Sequence, residues 1–271
     1  MTAEVKSETD DPVVVCGAPR TGVCLLASLL HSNAGFVTGP ELPLVVTMAR
    51  QWKDIVTTLG DNHERHYGVS RDHSRSAFRH AILQLIAPHA SVTRNRFVMQ
   101  SFSATLAMNV LAEIFPTSRF VVMTRDPRDV VRSLLNSRWL SPLDGKPLPY
   151  TQDAGAAAKF WLDLTRVGIE QSPPLTAAGR LLFMRYEDLC RNPVGVLAEL
   201  AAFLGVSKLR PAIEMSSSSR DAATHEMTSR SVRVGAIDQR SIGVWRTTLT
   251  ATQCSQVDAV TRQLRASLGY S

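Results

Sequence analysis

Two short segments of the chain carry residue types able to hold an anion. The first, Gly17-Ala18-Pro19-Arg20-Thr21-Gly22-Val23, joins a β-branched run to an apolar stretch with helical spacing. Glycines let a backbone curl tightly, and the amides of a following helix turn their dipole toward a negative charge. That is the design of a phosphate-cradling loop, although the GxxxxGK[ST] spacing and its lysine are absent. Arg20 can supply a cation from inside the loop. Taken alone, the segment fits an ordinary strand–turn–helix connection equally well. The second segment, Arg125-Asp126-Pro127-Arg128-Asp129-Val130-Val131-Arg132-Ser133, places Arg125 at a strand end and Ser133 eight residues later on a helix. An arginine fork and a serine hydroxyl in that arrangement can turn toward one anion. A solvated helix start with internal ion pairs is the plainer alternative.

The elements that must position these residues are legible as hydrophobic periods. Pro12 to Gly17, Arg96 to Gln100, Arg119 to Thr124 and Arg180 to Met184 read as buried strands. Helices are expected over Val23–His31, Leu42–Leu59, Ser74–Ala87, Ala104–Phe115, Pro127–Trp139 and Pro193–Leu204. Strands alternating with helices give an α/β fold, a P-loop-like parallel sheet flanked by helices. Ligands of such sheets gather beyond the carboxyl ends of the strands, where both candidate segments lie. One domain spanning 12–271 is expected, preceded by a flexible lead-in over 1–11. Ser216 to Ser231 reads as a polar loop, and Leu140 to Gln152, rich in proline and glycine, reads as a lid over an acceptor pocket.

Composition narrows the ligand. The net charge is +6, yet the arginines are dispersed, with no basic run and no aromatic interleaving, so nucleic acid is not an expected partner. A pocket for a nucleotide carrying several negative charges accounts for the excess. Four scattered cysteines lack a CxxC pair, which argues against a disulfide framework or a zinc site. His63, His66, His73 and His80 are expected on a solvated helical surface rather than on a metal. No apolar run is long enough to span a bilayer, and Met1 to Asp11 lacks a secretory apolar segment. A cytoplasmic protein without a membrane partner is expected, and a homodimer is left open.

Together the two segments resemble the PAPS-dependent sulfotransferases, which carry the motifs PRSGTTLL and RDPRDVVxS. Here they read Pro19-Arg20-Thr21-Gly22-Val23-Cys24-Leu25-Leu26 and Arg125 to Ser133. Arg185-Tyr186-Glu187-Asp188-Leu189 resembles the RYEDL segment of that family. Ser241-Ile242-Gly243-Val244-Trp245-Arg246 resembles its late S-x-G-x-W-R element, which closes over the nucleotide. The resemblance covers about residues 12–250 and is nearer the protein-tyrosine type than the histidine-base cytosolic type. It implies 3′-phosphoadenosine 5′-phosphosulfate (PAPS) as cosubstrate, 3′-phosphoadenosine 5′-phosphate (PAP) as product, and no metal. It further implies a donor site of Pro19, Arg20, Thr21, Gly22, Val23, Cys24, Arg125, Ser133, Tyr186, Ser241, Trp245 and Arg246. Glu41, in Gly39-Pro40-Glu41, stands where such relatives carry the carboxylate that deprotonates the acceptor, with Arg20 stabilising the leaving oxygen. The implied reaction is direct in-line transfer to a small hydroxylated or phenolic acceptor, with a peptide tyrosine, a saccharide, or nucleotide binding without transfer as alternatives. Two departures stand out. Val23 and Cys24 replace hydroxyl residues, and Met99-Gln100-Ser101-Phe102 lacks a lysine found in relatives, leaving Gln100 or Ser101 as neutral donors to the sulfate.

Overall fold

The computed structural model describes residues 11–89, 96–141, 143–213, 235–237 and 239–270. The expected loop at Ser216–Ser231 lies outside them. Residues 1–10 of the expected lead-in also lie outside the described residues, whereas Asp11 is described. Asp11 is buried, and its carboxylate accepts from the Arg79 guanidinium (3.1 and 2.6 Å) and from the Thr117 amide and hydroxyl (2.8 and 2.9 Å).

Five parallel strands form the central sheet: β1 (Val13–Gly17), β2 (Phe36–Thr38), β3 (Arg96–Gln100), β4 (Phe120–Thr124) and β5 (Leu181–Arg185). Their order is β2-β3-β1-β4-β5, so the chain leaves β1 toward one edge and later crosses to the other. The switch point lies beyond the carboxyl end of β1, where such sheets bind ligands. Every residue of β1 and β4 is buried, as strands covered on both faces require.

Alternate strand residues feed opposite layers. Val14, Cys16, Phe120 and Val122 pack with Val45, Ala49 and Trp52 of α2 (Pro43–Leu59), with Ile82 of α4 (Arg71–Ile86), and with Leu111 of α5 (Met108–Ile114). The short α3 (His63–Tyr67) bridges α2 and α4 in sequence. Val13, Val15, Val121 and Met123 pack with Leu26, Leu29 and Leu30 of α1 (Val23–His31) and with Leu197 and Leu200 of α10 (Pro193–Leu204). A third cluster joins Val130, Val131 and Leu134 of α6 (Pro127–Leu135) to Ala157, Ala158 and Trp161 of α7 (Ala154–Glu170). Each fully buried aliphatic side chain contributes about 1.5–3 kcal/mol. The remaining elements are α8 (Ser172–Ala177), α9 (Tyr186–Arg191), the antiparallel pair β6 (Ala212–Ile213) and β7 (Gly235–Ala236), α11 (Trp245–Thr248) and α12 (Ala251–Ser267).

Three expectations are revised. The helix expected to Trp139 stops at Leu135, because the Ser137 hydroxyl takes the Leu134 carbonyl (2.7 Å) and Trp139 folds into the core. The helix expected from Ala104 begins as a 3₁₀ segment, Ser103–Ala107, before α5. His63 is buried rather than solvated, with its Nδ1 unpartnered, and packs against the Tyr67 ring at 5.2 Å.

Candidate active site

The first loop is fixed by positions that only its own residues fit. Gly17 has φ of 137° and abuts β4 so closely that a Cβ there would run into the Met123 carbonyl oxygen. Gly22, the N-cap of α1, has φ of 105°, and a Cβ would lie 2.8 Å from the Tyr186 ring. Between them Arg20 adopts φ of 69°, a left-handed conformation costing a non-glycine residue about 1–2 kcal/mol. Its neighbours hold it there. Arg125 Nη1 donates to the Arg20 carbonyl (3.0 Å), and Arg20 Nε donates to Ser133 Oγ (2.8 Å). The Thr21 hydroxyl donates to the Ala18 carbonyl (2.6 Å), and the Gly17 amide donates to Thr105 Oγ1 (2.8 Å).

That geometry gathers positive charge. Arg125 is buried, stacks over the Tyr186 ring at 4.1 Å, and donates through Nη2 to the Ser241 carbonyl (2.6 Å). Its Nε and that of Arg132 are buried without a hydrogen-bond partner. Burial lowers the pKa of Arg20, with the Cys24 sulfur opposing this and the charges of Arg125 and Arg132 adding to it. Among the described residues Arg20, Arg125 and Arg132 form no ion pair. Burying cations together is unfavourable until an anion joins them, so the arrangement suits a polyanion. Burial also drives the Tyr186 hydroxyl up to about 12, keeping it neutral beside Arg125.

A second layer locks this cluster. Asp126 caps α6 by accepting from the Arg128 amide (2.9 Å), and its carboxylate forks onto the Arg128 guanidinium at 3.0 and 2.7 Å. Asp129, only 1% exposed, accepts from the amides of Gly243 (2.6 Å) and Trp245 (3.1 Å). The Trp245 ring lies 4.0 Å from the Arg128 guanidinium and 4.7 Å from that of Arg246. Ser241 to Arg246 is thereby tied over the start of α6.

Glu41 occupies the other side of the carboxyl edge, between β2 and α2. Ser101 Oγ donates to Glu41 Oε1 (2.7 Å), and the Phe102 amide donates to the same carboxylate. Burial pushes the Glu41 pKa up, and these two hydrogen bonds pull it partly back. Beside them, Phe102 meets Phe160 edge-on at 6.2 Å, and Tyr150 stacks on Phe160 at 4.1 Å.

The structure thus brings Arg20, Gly22, Arg125, Ser133, Tyr186 and Ser241 into one contact network, with Trp245 and Arg246 packed behind it. Pro19 and Cys24 flank that loop, whereas Thr21 spends its hydroxyl inside it. The Val23 side chain joins the core with Leu26 and Leu29. Of the neutral donors expected at the sulfate, Gln100 Nε2 donates one of its two protons to the Gly39 carbonyl (3.2 Å), and the Ser101 hydroxyl donates to Glu41 (2.7 Å). Sequence reasoning missed Arg132 and Asp129 as members of the site. Their spacing held a signal, since Arg132 follows Arg125 by seven residues, about two helical turns. Among the described residues no cluster of three or more metal-ligating side chains occurs, and no helix is long and apolar enough to cross a membrane.

A parallel sheet with an anion-ready loop at its switch point defines a P-loop-like α/β protein. A model of the sulfotransferase family matches residues 12–210, and the chain belongs to that family. Its sequence is 26% identical over 203 residues to protein-tyrosine sulfotransferase 1 of Danio rerio, covering 73% of this chain and 54% of the relative. The chain therefore spans about half the length of that relative. The sulfotransferase domain of the Synechococcus PCC 7002 olefin synthase superposes with a TM-score of 0.63 at 19% identity, covering 100% of this chain and 99% of the domain. A mouse sulfotransferase solved in complex with PAP gives 0.52 at 17% identity, covering 97% and 87%. These likenesses bear out the expected fold and family.

Proposed function

We propose that this chain moves the sulfuryl group of PAPS directly to a hydroxyl of a small acceptor, with Glu41 as the base. The observation that carries this reading is the cluster of buried Arg125 with half-buried Arg20 and Arg132, which among the described residues has no carboxylate partner, at the switch point of a sulfotransferase-family sheet. PAPS, when bound, supplies the activated sulfuryl group. Arg125 and Ser133 hold the 3′-phosphate by charge and neutral donation. The amides of the first loop and Arg20 hold the 5′ side, where Arg20 keeps positive charge beside the oxygen on which negative charge builds. Tyr186 supports Arg125 by stacking. Trp245 and Arg246, tied down through Asp129, cover the nucleotide side.

Glu41 takes the proton of the acceptor hydroxyl on its carboxylate as the oxygen attacks. Its raised pKa brings it closer to neutrality than an ordinary carboxylate, which strengthens it as a base. The Phe102–Phe160–Tyr150 cluster beside it suits a planar, phenolic acceptor. The loop 140–152 contributes Tyr150 to that wall.

Calorimetric titration with PAP, using ADP and ATP as controls, tests the donor site. Micromolar binding that requires the 3′-phosphate is expected. Equal binding of ADP, or no binding by folded protein, would overturn the assignment.

A further inference from the structure

Glu41 is not a lone carboxylate at the edge of a pocket. Ser101 is 2% exposed, and its amide donates to the Val15 carbonyl (3.1 Å), so its backbone is fixed against β1. Its hydroxyl has one proton, and that proton goes to Glu41 Oε1 at 2.7 Å. The 2.7 Å contact between the hydroxyls of Ser101 and Ser103 must then run from Ser103 to Ser101. An ordered chain results, Ser103 to Ser101 to Glu41, running through the buried Ser101 between two half-buried groups. From the same strand end, Gln100 pins the turn carrying Glu41 by donating to the Gly39 carbonyl.

The geometry points to Ser101 as a positioning residue for Glu41, fixing the carboxylate through one oxygen and leaving its remaining lone pairs for the acceptor proton. This inference rests on the reading of Glu41 as the base. The groups facing Glu41 leave few other sources of control. From β3 and the 3₁₀ segment come Ser101, the Phe102 amide and, through Ser101, Ser103. The neutral Gln100 amide and the His89 side chain pack at Gly39. Glu41 makes no ion pair among the described residues. Among the described residues, the hydrogen bonds from Ser101 and the Phe102 amide to the ionised form are what oppose the effect of burial. The sign follows directly. Without the Ser101 hydroxyl, Glu41 stays protonated to higher pH, and the acid limb of activity moves upward.

The test compares the parent with Ser101→Ala, with Ser101→Cys as a variant that keeps the volume but weakens the donor. The readout that needs no acceptor is a carboxyl titration by ¹³C-glutamate NMR, with the Glu41 signal assigned through Glu41→Gln. A midpoint higher in both variants than in the parent, with PAP affinity unchanged, is the expected result. Where turnover is measured, kcat falls about tenfold while the acid limb shifts the same way as the midpoint, the size expected for a lost hydrogen bond to a charged group. Coincident midpoints in folded parent and variants would overturn the inference. Failure of the parent to bind PAP breaks the donor-site reading, yet the titration still reads the Ser101 contact. Retained turnover in Glu41→Gln breaks the base assignment, and with it the inference.

Discussion

Around β4, four consecutive-motif charges are nearly sealed from water, whereas around β2 and β3 a single carboxylate is held by neutral donors. Arg125, Asp126, Arg128 and Asp129 are each 9% exposed or less. Asp126 and Asp129 are consumed by Arg128 and by the amides of Gly243 and Trp245. What remains unbalanced on that side is positive and faces the switch point. On the other side, Glu41 sees serine hydroxyls and one amide. The proposed donor half is therefore preorganised by buried ionic contacts that tolerate little change. The proposed acceptor half holds its carboxylate with neutral donors beside aromatic rings, so small substitutions there are expected to alter its chemistry.

The sharpest way to break this contrast is Glu41→Gln. Glutamine keeps the shape and the Ser101 contact but cannot take a proton. Transfer is expected to fall by about 10²–10⁴-fold, the usual worth of a positioned base. PAP affinity should stay within error, because the hydrogen bonds of Glu41 run to Ser101 and Phe102 rather than to the arginine cluster. A parallel loss of PAP binding would show that the two halves are one electrostatic unit. The measurements are single-turnover transfer and calorimetry on the same preparation.

Next in size is Arg125→Ala. It removes a guanidinium that supports the Arg20 carbonyl, stacks on Tyr186 and ties Ser241. Hydrogen bonds to charged groups contribute about 1.5–3 kcal/mol, so PAP affinity should drop about 10–100-fold. ADP, lacking the 3′-phosphate, should lose much less. Equal losses for the two nucleotides would mean that Arg125 supports the loop rather than the phosphate, and would shift that role to Arg132.

Four of the five strands of the central sheet and both candidate anion-binding segments are legible in the sequence because their signals are local. A run such as Val13-Val14-Val15 buried on both faces reads as a strand from composition alone. Glycines at positions of positive φ mark the loop. α7 escaped because small and polar residues (Ala154, Ala157, Ala158, Thr165 and Gly168) fill most of its buried positions and carry little hydrophobic contrast. β2 is only three residues long and takes its place by pairing with β3, a contact sixty residues away in sequence. The same distance hid the Ser101 contact with Glu41. Asp129 was visible as a charge but not as the partner of Gly243, 114 residues later. Local periods place the strands of the sheet, whereas partners across the site appear only once the chain is folded.

The smallest expected effect concerns the two residues that depart from the family pattern, and it separates them. Val23 and Cys24 are neighbours on the first turn of α1, but they face different surroundings. Val23 is buried among Leu26, Leu29 and Tyr186. Cys24 is partly exposed and interacts electrostatically with Arg20. On the proposed donor site a hydroxyl at position 24 would donate to the bound anion, and one neutral hydrogen bond contributes about 0.5–1.5 kcal/mol. Cys24→Ser should therefore tighten PAP binding by about two- to tenfold. Val23→Thr places its hydroxyl in the core instead, at a cost of about 1–3 kcal/mol without a partner. It should lower the melting temperature and leave PAP affinity unchanged. Calorimetry and thermal unfolding of the two variants distinguish the cases. A gain at position 23 with none at 24 would invert the orientation of the first turn and require the anion to sit against the opposite face of α1.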